Sequence, residues 1–177
     1  MLGSIALLVS AQAVTDPGAV KARQTAYARI ATAEAVARDP ELLRAIKAKN
    51  QAGESGVEIQ NKDRQWQANP RYPLRQELAN NACASRLKKL VGTDAIVVEA
   101  FLMDARGALV CATRETSDYW QGDEAKWTKT YREGKQVFVD EPALDLSSNT
   151  YAVQLSLVVS EGETKIGALT LTLKVPR

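Results

Sequence analysis

Between Tyr151 and Val175 the chain alternates. In YAVQLSLVVS, Tyr151, Val153, Leu155, Leu157 and Val159 point one way, and Ala152, Gln154, Ser156 and Ser160 point the other. KIGALTLTLKV follows across the short link EGET. A period of two held over this distance belongs to strands, so the pair reads as a β-hairpin with one greasy face and one mixed face. The greasy face must be covered by another layer, and that requirement limits what the rest of the chain can become.

The same signal appears earlier in IVVEAFLMDARGALVCAT, where β-branched and aromatic residues flank DARG, a turn ending in glycine. It predicts a hairpin of Ala95–Met103 and Ala108–Thr113, and KQVFVD adds a short strand over Lys135–Asp140. Upstream the period is helical. Asp16-Pro17 is a helix start, with a capping carboxylate and a proline where no N–H is needed. Val20, Tyr27, Ile30 and Ala37 share a stripe, and Asp39-Pro40 kinks or restarts the run so that Leu42, Leu43 and Ile46 continue it. The expectation is a long N-terminal helix with one break. VEIQNKDRQWQA predicts a short helix that buries Trp66, and LRQELANNACASRLKKLV a further helix stopping at Gly92. Helices followed by five antiparallel strands give an α+β fold, with the long helix covering one face of the sheet.

With 45% apolar and 25% charged residues, the 177-residue chain has the composition of one ordinary soluble domain, here spanning 14–177. Its formal charge of +2 is spread through 23 basic and 21 acidic residues, so it lacks the positive field a nucleic acid needs. Histidine is absent, which removes Ser–His and Cys–His nucleophile systems and histidine-based zinc sites. MLGSIALLVSAQA carries an apolar run from Leu2 to Val9 and then Ala11-Gln12-Ala13, the small-x-small form of a cleavage site. It predicts a signal peptide over residues 1–13 and an exported, periplasmic or secreted protein. Cys83 and Cys111 are 28 positions apart without a CxxC motif. They are either a disulfide, contributing about 3–4 kcal/mol in the chain-entropy picture, or two small buried hydrophobes.

The stretch SDYWQGDEAKW, Ser117 to Trp127, joins strands that a short turn would have joined. It holds Asp118, Asp123 and Glu124 beside Tyr119, Trp120 and Trp127, and Tyr131 follows one helical turn later. Gly122-Asp123 reads as a helix entry with Asp123 as its cap, and Gly134 as the stop. On one reading the rings fill core and the acids are caps and solvated charges. On the other, an aromatic wall with nearby carboxylates receives an ammonium group; Lys126, Lys129 and Arg132 keep a carboxylate or zwitterion open as well. Adjacent acids cannot face each other across a glycosidase cleft. With no phosphate cradle, nucleophile elbow or metal-binding carboxylate array, the chain reads as a non-enzyme that needs no metal or cofactor.

Together, the long helix, DRQW, the DARG hairpin, SDYWQGDEAKW, VFVDE and the closing hairpin resemble the Cache-type (PAS-like) extracytoplasmic sensor domains of bacteria, in a stand-alone form with a signal peptide. The resemblance runs from about Asp16 to Val175. It implies a five-stranded antiparallel PAS-like sheet with the helix behind it and a small-molecule pocket under the inserted loops. It further implies a ligand that is an amine, amino acid or carboxylic acid, and a signal passed to a membrane partner, since no output domain follows Val175. By position, Tyr119, Trp120, Asp123 and Trp127 would line or brace the pocket, with Asp140 and Tyr151 facing it. The family's amino-acid pattern, an arginine shortly before Trp-Tyr with a later aspartate, is not reproduced, so specificity stays open. An alternative is a structural module with a filled pocket that uses the Val20, Tyr27 and Ile30 stripe to pair with itself or dock on a receptor.

Overall fold

The computed structural model describes residues 16–146 and 148–177; the expected signal peptide at 1–13 lies outside the described residues. Helices α1 (Pro17–Tyr27), α2 (Ile30–Ala37), α3 (Pro40–Ala52), α4 (Gly56–Ala68), α5 (Pro73–Asn80) and α6 (Ala82–Val91) precede an antiparallel sheet. Its strands are β1 (Val97–Asp104), β2 (Leu109–Ala112), β3 (Val137–Val139), β4 (Ala143–Asp145), β5 (Thr150–Glu161) and β6 (Thr164–Pro176). Five of them run in the order β2-β1-β6-β5-β3, and β4 also pairs with β5. The fold is α+β, as the change of period predicts.

β5 and β6 form the spine. Their ladder sets Val153 opposite Leu173, Leu155 opposite Leu171 and Leu157 opposite Leu169, so the odd positions of both strands share one face. That face is fully buried, and with Ala100 and Leu102 of β1 it packs against α1, α2, α3 and α6. The opposite face is polar along β5 and β6. There Ser156 and Thr170 lie buried with their hydroxyls 2.9 Å apart, and Thr172 bridges Gln154 to Glu99. Toward β1 and β2 this second face turns apolar, and Phe101, Met103 and Leu109 form another core with Ile59, Trp66, Leu78, Tyr119 and Trp127.

The N-terminal helical run has two breaks where the sequence predicts one. The expected break is at Asp39, whose carboxylate caps Glu41 and Leu42 and pairs with Arg86. The second falls at Ala28–Arg29, where the Arg29 amide turns to Ala26 and its guanidinium reaches Asp94. The buried stripe also differs from expectation. Ala19, Ala22, Ala26 and Ala33 face the sheet, whereas Val20 is 40% and Tyr27 52% exposed. Alanine lets a helix axis approach the large aliphatic side chains of β5 and β6, and the bulkier Val20 and Tyr27 are turned outward.

LRQELANNACASRLKKLV is likewise two helices. Asn81 ends α5 in extended geometry, and its side chain caps α6 by accepting from Ala84 N at 2.8 Å. Cys83 of α6 and Cys111 of β2 form a disulfide with Cα atoms 5.8 Å apart, tying the helical layer to the sheet's edge strand. At the first hairpin turn the Asp104 carboxylate accepts from Arg106 N and Ala108 N.

Close backbone packing in the sheet gives a direct test. A Cβ on Gly167 would stand 2.1 Å from the Met103 carbonyl oxygen, whereas one on Gly56 would meet nothing within 4 Å. Gly167→Ala is expected to cost about 2 kcal/mol or more in urea unfolding, with Gly56→Ala within about 0.5 kcal/mol of the parent.

Candidate functional site

The insertion between β2 and β3 is held from outside its own sequence. Asp63 of α4 uses one carboxylate oxygen to accept from both Tyr119 N and Trp120 N, each at 3.0 Å. Backbone bonds from Leu109 N to Tyr119 O and from Gln121 N to Gly107 O lay SDYWQ beside the hairpin as a further short bridge. Trp66, at the far end of α4, donates its indole N–H to Thr116 O. Helix α4, which the sequence predicts chiefly as a support for Trp66, therefore carries the insertion at two points.

From this anchorage each ring turns inward. Tyr119 has no exposed surface and lies 6.0 Å from Trp66, centroid to centroid. Trp127 donates to Asp104 O at 3.1 Å and stacks on Tyr131 at 5.0 Å. Trp120 is half-buried and donates to Arg106 O at 2.8 Å, closing over the DARG turn. Its ring leaves no space for a side chain at Gly122, where a Cβ would meet the indole nitrogen at 2.5 Å. Gln121, Lys126 and Thr130 of the insertion are also buried. Tyr119 and Trp127 of the insertion pack with Phe101, Met103 and Leu109 of the sheet.

Three of the expected site residues do not join these rings. Asp123 is exposed and does not cap a helix; the helical turn α7 (Ala125–Trp127) begins after Glu124 and passes into a π-helical turn, Thr128–Arg132. Tyr151 is buried on the opposite face of the sheet, against Gly18 of α1, because strand parity groups it with Val153 and Leu155. Asp140 lies beyond the end of β3, and its carboxylate accepts from Glu141 N. Tyr119, Trp120 and Trp127 do come together, but as packing around the DARG turn. Trp120 also borders a small hollow of about 220 Å³, with Ile59, Gln60 and Arg106.

A larger opening lies elsewhere. A groove of about 630 Å³ runs between α3, α5, α6 and β2. Tyr72, Leu74, Leu78 and Val110 form its apolar wall, and Lys49, Glu54 and Lys62 its charged end. Glu54, in the link between α3 and α4, is paired with Lys62 and accepts from the Tyr119 hydroxyl at 2.5 Å. Lys49 stands 2.9 Å from the same carboxylate and 2.8 Å from the Tyr119 oxygen. Burial raises the Glu54 carboxyl, but bonds from Lys62, Tyr119 and Lys49 outweigh it and bring the pKa to about 2. Burial and the neighbouring carboxylate push the Tyr119 phenol far up, so it stays a donor. No local motif announces Lys49, Glu54 and Lys62, which come from the end of one helix, a link and the middle of the next. Among the described residues no acidic or cysteine cluster is arranged to hold a metal ion, and no helix is long and apolar enough to cross a membrane.

Glu54 supplies a pH test. Its folded pKa of about 2 lies below the ordinary 4.5, so its stabilisation is complete above about pH 4.5 and is lost as pH falls through about 2. Glu54→Gln is expected to be less stable than the parent by about 1–3 kcal/mol near neutral pH, the difference shrinking toward zero near pH 2 in urea titrations.

No family model matches the chain, and no curated protein does. Among solved structures it is similar to the sensor domain of the V. cholerae histidine kinase DctB, at 15% identity and a TM-score of 0.48, over 95% of this chain and 56% of that one. It is also similar to the ligand-binding domain of the Pseudomonas aeruginosa PAO1 amino acid chemoreceptor PctC in complex with GABA, at 18% identity and a TM-score of 0.44, over 72% and 61%. A third similar structure is the ligand-binding domain of the Pseudomonas fluorescens chemoreceptor CtaA in complex with L-serine, at 14% identity and a TM-score of 0.38, over 72% and 58%. The chain thus spans less than two thirds of the length of these solved chains.

Proposed function

We propose that this chain is a non-enzymatic, extracytoplasmic sensor domain that takes a small metabolite in the groove between α3, α5 and α6 and passes the signal to a separate membrane partner. The observation that carries this reading is the groove itself. Its volume of about 630 Å³ falls in the range of small-molecule sites, and its apolar wall ends on convergent charged groups. Lys49 and Lys62 offer donors to a carboxylate and Glu77 an acceptor to an ammonium, beside an apolar wall, so the groove suits an organic acid or an apolar amino acid. Export is supported by the leader-like residues 1–13 and by the Cys83–Cys111 disulfide, a bond kept in oxidising compartments. Lys49 lies on α3, so an occupant pulling on its ammonium would act on the helical layer over the sheet.

A second reading, an interaction module, is favoured by the burial of Tyr119 and Trp127 in the second core and by the exposure of Val20 and Tyr27 on α1. The two readings separate experimentally. If the groove binds ligand, a thermal-shift screen of carboxylates, amino acids and amines should find compounds that raise the melting temperature, and Leu74→Trp, which fills the groove, should abolish the rise. If no compound acts, or Leu74→Trp leaves the response intact, the groove assignment is wrong. If α1 is an interface, Val20→Asp with Tyr27→Asp should convert a sedimenting dimer to monomer; a parent that is monomeric at every concentration excludes self-pairing.

A further inference from the structure

The insertion has the composition of an ammonium-binding box, and Tyr119 and Trp127 are buried in the second core. The structure contains an ammonium there all the same. Lys126 is only 8% exposed, and its Nζ lies 2.9 Å from Gln121 Oε1, 2.8 Å from the Glu124 carboxylate and 5.3 Å from the centroid of Phe101. An alkylammonium has three N–H directions, and here two meet oxygen acceptors while the charge sits over a ring.

The cage is fixed before the ammonium is considered. Gln121 is 1% exposed and donates its own amide to Asp118 O at 2.8 Å, which orients Oε1 toward Lys126. Phe101 belongs to β1 and is 1% exposed. Glu124 is the more open wall, with its side chain 38% exposed, so the cage communicates with solvent on that side.

We propose that Gln121, Glu124 and Phe101 form a primary-ammonium site whose occupant is the chain's own Lys126, a tethered ligand that holds the insertion shut. The site selects a primary alkylammonium over a carboxylate because its acceptors are an amide oxygen, a carboxylate and a ring face, none of which donates. It is separate from the groove between α3, α5 and α6, and neither assignment depends on the other. Wild-type protein has no vacancy here for a free amine.

Chemical rescue tests this. Lys126→Ala removes a fragment equivalent to n-propylammonium, and the variant should melt at lower temperature than the parent. Millimolar n-propylammonium should restore part of that loss, while tetramethylammonium should not, and the parent should respond to neither. Rescue should disappear when Gln121→Leu and Glu124→Gln are added. Lys126→Met keeps the stem but removes the charge and should lower the melting temperature by about 4 °C or more. The proposal is overturned if n-propylammonium fails to rescue a folded Lys126→Ala, or if it stabilises the parent equally. Should Lys126→Ala not fold, a Lys126→Met variant that melts with the parent overturns it, and one that melts lower supports it.

Discussion

A pair of long strands with most of their large aliphatic residues on one side sets the architecture. Leucines and valines at the odd positions of β5 and β6 need a cover that comes close, and the alanine-faced helices α1 and α2 provide it. The polar residues at the even positions are committed to the opposite face by the same parity. Ser156, Thr170 and Thr172 bond one another or Glu99 there, so this face is moderately polar before any insertion is laid over it.

The insertion then covers the apolar end of that polar face. It is positioned by Asp63, which satisfies two backbone donors with one carboxylate oxygen, and by the indole of Trp66, both from a helix more than fifty residues upstream of the rings they hold. With its ends fixed, the aromatic side chains fill the space around the DARG turn. Trp127 and Trp120 bond the carbonyls of Asp104 and Arg106, and Gly107 and Gly122 let the two backbone segments meet. Their clustering beside charges in the sequence reflects this turn-centred packing, with Lys126 as the buried cation that the neighbouring acceptors hold.

A groove lies on the helical side of β2, between α3, α5 and α6. Its charged end joins the insertion through one phenol, since the Tyr119 hydroxyl bonds both Glu54 and Lys49. A change in the salt bridges of the groove is thereby mechanically linked to the best-buried ring of the insertion.

Element types were legible in the sequence because period and end signals are local. The alternation after Tyr151, the DARG turn, Asp16-Pro17 and Asp39-Pro40 each act within a few residues, and each appears where the pattern puts it. Strand parity even places Tyr151 with Val153, though the family resemblance assigns it by position to the pocket. What local pattern did not contain was which rings would be plugged and which charges would meet. Lys49, Glu54, Lys62 and Tyr119 are brought together from separate elements, and the burial of Ala19 and Ala22 in place of Val20 and Tyr27 depends on how near a helix can come to a particular sheet. Those outcomes are set by distances between elements, so composition and spacing determined the layers of this protein while tertiary packing alone decided where a cavity remained.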